Sequence, residues 1–303
     1  MLDASRRSRR FCAIAAVLAL AGCGAPVLTP AGPVGAGNLK VLFDAVALML
    51  TIVVPTILIT LGFAWWYRAS NPRAKRLPDF TYSGRIELVV WAVPALTIMF
   101  LGGMIWVGSH KLDPAQPLDA HGGKPLEVQV VSLDWKWLFI YPEEGVASVN
   151  TLAAPVGRPI HFQLTSASVM NAFFVPQLGS MIYTMNGMAD NLNLQADKPG
   201  DYPGLSAMIS GDGFADMHFD LHAMAPAQYD AWIATAKGAG PTLDAAGYAA
   251  LARQSANLKP FTYRAVQPGL FQAIVSQKIA PAPGPRVTGG GNPSVSPKTT
   301  EAR

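Results

Sequence analysis

From Ala45 to Tyr67, and again from Leu88 to Ser109, the sequence has no Asp, Glu, Lys or Arg. A helix over the first run covers about 33 Å, enough to cross the hydrocarbon core of a bilayer. Trp65, Trp66 and Tyr67 close that run, and Trp106 lies near the far end of the second, where aromatic rings sit at membrane–water interfaces. Pro55 is expected to kink the first helix, which neighbouring helices accommodate, and Pro94 lies inside the second. The loop over 68–85 holds Arg68, Arg73, Lys75, Arg76 and Arg85 against one acid, Asp79, so the positive-inside rule predicts that this loop is cytoplasmic. Both long ends of the chain then belong on the opposite face. Asp44, at the outer start of the first span, is expected to be solvated at the interface.

The N-terminus gives the same topology from an unrelated signal. Arg6, Arg7, Arg9 and Arg10 precede an apolar run, Phe11 to Ala21, followed by Leu20-Ala21-Gly22-Cys23. A basic start, a short apolar core and small residues before the cut predict a secretory signal over residues 1–22. Leu-Ala-Gly-Cys matches the bacterial lipobox, which predicts cleavage before Cys23 and lipid on its sulfur, on the extracytoplasmic side. Residues 23–40, rich in Gly and Pro, read as a flexible linker, and residues 41–110 as a two-helix transmembrane hairpin. Cys12 and Cys23 are the only cysteines, so a downstream disulfide framework or zinc-thiolate site is excluded.

Downstream the apolar period changes. Leu126 to Tyr141, Ile160 to Leu164, Leu192 to Leu194 and Met217 to Leu221 are short runs rich in β-formers, with alternating apolar residues and Gly, Pro or Asn turns between them. They predict an all-β sandwich over 124–224. A Pro226 start and Gly238 stop mark a short helix, and further helices are predicted over 243–254 and 270–277 in an aromatic-rich extension, 225–280. The Pro, Gly, Ser and Thr of 281–303 predict a disordered tail.

The formal charge of +4 does not signal nucleic-acid binding. The signal segment accounts for a net +3, the intervening loop holds five more basic residues, and residues 110–303 carry 13 basic against 15 acidic side chains. No clustered basic surface remains for a phosphate backbone, and no intense acidic field for a basic protein partner. His218, Asp220 and His222 alternate along one strand and share a face, but without an evident fourth donor they read as its solvated side. His110 and His121 have no recognisable partner in the sequence.

The stretch from Ser168 to Met217 carries the chemistry. It contains SVMNAFFVPQLGS and closes with LSAMISGDGFADM. This resembles subunit II of the haem-copper respiratory oxidases. In the cytochrome c-oxidising members, a His precedes the Phe-Phe/Val-Pro run, and a Cys-x-Glu-x-Cys-x3-His-x2-Met segment completes a dinuclear copper site. On that pattern Asn171 stands at the first His, Ser206 and Ser210 at the cysteines, Met208 at the Glu and Phe214 at the second His. Only Met217 keeps a ligand type. Soft copper needs thiolate and imidazole donors, which hydroxyls and a phenyl ring do not replace. Retained spacing with lost donors resembles the quinol-oxidising, cytochrome bo-type branch of the family.

That resemblance implies a cupredoxin-like sandwich with no copper or other metal, and no catalytic residue, in this chain. It implies haems, one copper and ubiquinol in a partner subunit I, together with further small subunits. The expected location is the bacterial inner membrane, with the sandwich and lipidated N-terminus periplasmic and no docking of soluble cytochrome c. Trp135 and Trp137, in Asp-Trp-Lys-Trp, stand where the copper-bearing relatives have an aromatic cluster and read here as packing residues. Glu87 opens the second span within Ile86-Glu87-x-x-x-Trp91-x-x-Pro94, where the helix dipole alone explains a first-turn carboxylate. The family resemblance further implies that Glu87 lies at the mouth of a proton-uptake channel. Two other readings are a cytochrome c oxidase subunit with a working copper pair, which lacks the cysteines, and a free-standing lipoprotein, which needs neither two spans nor the Glu87 words.

Overall fold

The computed structural model describes residues 25–75, 77–118, 123–282 and 284. The signal segment, Cys23, Arg76, His121 and nearly all of the expected tail lie outside these residues. Two compact units result: Gly37–Asp113, and a second formed by the chain before it together with Pro114 onward.

The first unit contains most of helix α1 (Pro33–Trp66) and all of α2 (Gly84–Lys111). Both pass the length and composition test for a membrane span, and the most apolar window of each buries nothing against the rest of the chain. Leu58, Trp91, Ile98 and Met99 are all more than 60% exposed. α1 runs through Pro55 and α2 through Pro94. The hydroxyls of Thr51, Thr56, Thr60 and Thr97 each donate to the carbonyl one turn back, satisfying them without water. Asp44 is paired with Lys40 at 2.6 Å, an exposed contact one turn apart. His110, for which the sequence offered no partner, lies tilted against Trp106 with ring centroids 4.4 Å apart, and its ring N–H donates to the Trp106 carbonyl at 2.8 Å.

The second unit is a two-sheet sandwich. Its strands are β1 (Leu126–Leu133), β2 (Lys136–Tyr141), β3 (Val146–Val149), β4 (Thr151–Pro155), β5 (Ile160–Ser166), β6 (Asn171–Phe174), β7 (Ile182–Thr184), β8 (Asp190–Leu194), β9 (Gly200–Ser206) and β10 (His218–Met224). The extension adds α3 (Pro226–Gly238), β11 (Thr242–Leu243), α4 (Ala245–Leu251), β12 (Phe261–Tyr263), β13 (Ala265–Val266) and α5 (Leu270–Val275). One sheet has the order β12-β3-β2-β1-β5-β8 and the other β4-β10-β9-β6-β7. Each sheet has one parallel pair, β1 with β5 and β4 with β10, among otherwise antiparallel neighbours. Between the sheets Phe173 stacks on Phe219 at 5.0 Å, and Trp137 meets both edge-on.

Two boundaries differ from the sequence reading. The extension supplies edge strand β12 to the first sheet, pairing Phe261 with Val149, and lays Tyr248, Leu251, Leu270, Phe271 and Ile274 over its outer face. It is part of the sandwich's own unit, and β2 is consequently buried on both faces rather than alternating. The expected 23–40 linker is also not free over its second half. α1 already begins at Pro33, and Ala31 N–H donates to the Gln177 carbonyl at 2.8 Å while Asp197 N–H donates to the Ala31 carbonyl at 2.7 Å. A Cβ on Gly32 would lie 1.9 Å from the Gln195 carbonyl oxygen, so this close approach requires glycine.

Candidate functional site

The six positions read as former copper ligands lie at the start of β6, at the end of β9 and in the loop that joins β9 to β10. Asn171 opens β6, Ser206 closes β9, and Met217 follows a short 3-10 turn, Phe214–Asp216, just before β10. Antiparallel pairing of β6 with β9 sets Phe173 opposite Ser206. The Ser206 N–H donates to the Met217 carbonyl at 3.2 Å, and the Met217 N–H donates back to Phe214 at 3.1 Å.

Fold thus brings Asn171, Ser206, Phe214 and Met217 together, and what remains there is self-contained. Asn171, Ser206, Ser210 and Met217 are each at most 2% exposed. Ser206 Oγ lies 3.1 Å from Asn171 Oδ1 and 3.2 Å from the Met208 carbonyl, either of which takes its proton. Asn171 Nδ2 donates to the Val169 carbonyl at 3.3 Å. Met208 is half-buried, whereas its neighbour Ile209 is 65% exposed. Ser210 is held through its backbone, since its carbonyl accepts from Trp135 Nε1 at 2.9 Å, and its hydroxyl is buried with no partner among the described residues. Gly213 lies flat on the Trp135 ring, where a Cβ would come within 2.4 Å.

This donor set does not fit a copper pair. It offers two thioethers, Met208 and Met217, and no thiolate or imidazole, while the amide and one hydroxyl already satisfy each other. Among the described residues no group of three or more His, Cys, Asp or Glu side chains could hold a metal ion. His222 Nδ1 is 2.5 Å from Asp201 Oδ1, and the His218 Nε2–H donates to the Ala215 carbonyl at 2.5 Å, so both rings are engaged on the outer face of β10. Trp135 and Trp137 are packing residues, at 1% and 0% exposure. Glu87 lies in the first turn of α2, exposed, with its N–H on the Ser83 carbonyl at 3.0 Å.

Sequence reasoning missed what braces these loops. Asp134 and Lys136, flanking Trp135, are 2% and 1% exposed. Asp134 accepts a short hydrogen bond from Ser168 Oγ and another from Gln254 Nε2 at 3.2 Å. Lys136 Nζ donates to the Arg253 carbonyl and Ser255 Oγ, both at 2.6 Å, and to the Asp134 carbonyl at 3.1 Å. Asn257 Nδ2 reaches Asp216 in the 3-10 turn at 3.1 Å. One network therefore joins the β1–β2 turn, the loop before Asn171, the 206–217 loop and the extension. Burial pulls the Lys136 ammonium down to about 8, partly offset by the Asp134 carboxylate. The available signal was two charges placed two residues apart inside an otherwise apolar strand run.

A family model described as the COX Aromatic Rich Motif matches residues 237–281, the part of the extension that covers the first sheet. Among curated proteins the chain is 49% identical over 273 residues to "Ubiquinol oxidase subunit 2" of Acetobacter aceti, covering 89% of this chain and 88% of that one. It is 46% identical over 268 residues to "Cytochrome bo(3) ubiquinol oxidase subunit 2" of Pseudomonas aeruginosa, covering 88% and 81%. Against "Quinol oxidase subunit 2" of Bacillus cereus the identity is 36%, covering 77% and 80%.

Proposed function

We propose how this chain works from the premise that it belongs to the ubiquinol oxidase subunit 2 family. It is a membrane-anchored subunit of an oxidase complex that passes electrons from quinol to oxygen, and it assembles with other subunits. Within that complex the sandwich is a cap without a redox centre. The observation that carries this reading is the Asn171–Ser206 hydrogen bond: two former ligand positions now satisfy each other inside a closed core. Quinol dissolves in lipid and can deliver electrons within the membrane, so an extracytoplasmic copper relay has no task. Haems, a single copper and the quinol site then belong to a partner subunit I, while this chain supplies assembly contacts and stability.

Cys23 is the lipid-bearing N-terminus after signal cleavage, and the sandwich faces the periplasm of a bacterial inner membrane. The agreement of the lipobox with the basic loop between the spans supports this topology. Glu87 is a proton-entry group: an ionisable side chain at a span's first turn is placed to take protons from water and pass them to a partner helix.

The test is metal and haem analysis of the purified complex with parallel rates of quinol and reduced cytochrome c oxidation. Rapid quinol turnover with copper only in the haem-bearing subunit supports the proposal. Two coppers in the sandwich, or preference for cytochrome c, would refute it. For Glu87, substitution by Ala is expected to slow turnover and proton pumping, and by Asp to restore part of both. Unchanged rates in the Ala variant remove it from the path.

A further inference from the structure

We propose that the membrane-side end of α1 and the connection to α2 form a binding site for an anionic phospholipid. A shallow groove of about 500 Å³ on α1 is lined by Ile59, Gly62, Phe63, Trp65, Trp66 and Tyr67. Gly62 makes the notch: a Cβ there would meet nothing within 4 Å. Directly beyond it, the Arg68 guanidinium sits 4.8 Å over the Trp65 ring and donates to the Trp65 carbonyl at 2.9 Å and to Ser70 Oγ at 3.1 Å. Asn71 Nδ2 caps the Trp66 carbonyl at 2.6 Å, so the start of the connection is folded against the helix end.

The rest of the connection is cationic and unusually apolar. Arg73, Lys75 and Arg85 form no salt bridge among the described residues, and the one acid, Asp79, pairs with none of them. Leu77, Phe80 and Tyr82 are 73%, 57% and 72% exposed. Rings at the membrane interface mark the depth of lipid phosphates. An apolar groove below that level and unpaired cations at it match the two ends of one molecule, an acyl chain and a negative headgroup. A soluble phosphate would leave the groove and the exposed Leu77, Phe80 and Tyr82 unexplained. Each basic residue beside an anionic surface contributes about a fivefold preference, screened by salt.

The inference rests on the hairpin spanning a membrane, and the test separates the two. The intact complex is placed in nanodiscs of phosphatidylcholine and phosphatidylglycerol in equal parts, with a photoactivatable chain on one lipid at a time, and cross-links are mapped by peptide mass. Labelling of residues 59–85 by phosphatidylglycerol is expected to exceed that by phosphatidylcholine by at least about tenfold. It should fall toward parity in about 0.5 M salt and in the R68Q/R73Q/K75Q variant. Equal labelling by the two lipids at low salt overturns the site, and this arm needs no variant to assemble. No labelling of 59–85 by either lipid sinks the spanning reading itself.

Discussion

The sandwich and the hairpin treat the same class of side chain in opposite ways. In the sandwich, Trp137, Phe139, Phe162, Phe173 and Leu221 have no exposed surface and are covered entirely by this chain. In the hairpin, Trp91, Ile98, Met99 and Phe100 are at least 66% exposed, with nothing of their own chain to cover them. Burial of apolar surface is the main force that fixes a fold in water. The sandwich therefore completes itself, and the hairpin is complete only in lipid or against another subunit. The same contrast recurs among polar groups: hydroxyls in the hairpin bond one turn back along their own helix, while those around Asn171 bond across strands far apart in sequence.

Five experiments would break or sharpen that contrast, all read on the full chain in detergent by pulse proteolysis across a urea series. Trp137→Ala empties the centre of the aromatic stack and is expected to destabilise the sandwich by about 3–5 kcal/mol; a loss below about 1 kcal/mol would mean that the core is not the self-sufficient unit described. Asp134→Ala comes next. It leaves Lys136 buried beside an unpaired network, with an expected loss of about 3 kcal/mol and early cleavage in 253–258.

Lys136 itself gives a pH signature. Its folded value is about 8 against 10.5 for an ordinary lysine, so between those values the unfolded chain holds more protons than the folded one. Burying the ammonium costs stability at all pH below 8, and that cost is relieved as pH rises toward 10.5. The sandwich should thus gain at most about 3 kcal/mol across that window, and the rise should vanish in Lys136→Met. A wild-type profile that falls through the window through an effect absent from Lys136→Met contradicts the assignment.

The two smallest effects separate the regions most directly. Ser210→Ala removes a buried hydroxyl that has no partner and should stabilise the sandwich by about 1 kcal/mol. Ile98→Ala, on the exposed face of α2, should change the chain's own unfolding by less than about 0.5 kcal/mol. Its effect should instead appear as loss of other subunits during detergent purification. A large effect on the isolated chain would place Ile98 in an internal contact.

What could be read beforehand was whatever depends on neighbours in sequence. The absence of charge over 45–67 and 88–109 specified both helices, and the side chains at Asn171, Ser206, Ser210 and Phe214 lack thiolate and imidazole whatever the fold around them. Strand positions followed from period and turn residues, although β1 and β2 were legible only as one run. The break at Asp134 and Trp135 depends on contacts with Ser168 and Ser255 that no local pattern encodes.

The sequence alone determined the membrane-anchored architecture and which donor atoms stand at the six former ligand positions, because hydropathy over a span and the identity of a donor atom are local properties. Only the tertiary structure decided that Asn171 and Ser206 satisfy each other, that Ser210 is left unpaired, and that Lys136 ties the extension to the former ligand loops. It also decided that Ala31 to Gly35 lie on the sandwich and that the extension closes its outer face. Each of these is a pairing between groups distant in sequence, and which distant groups meet is fixed by sheet register and core packing together.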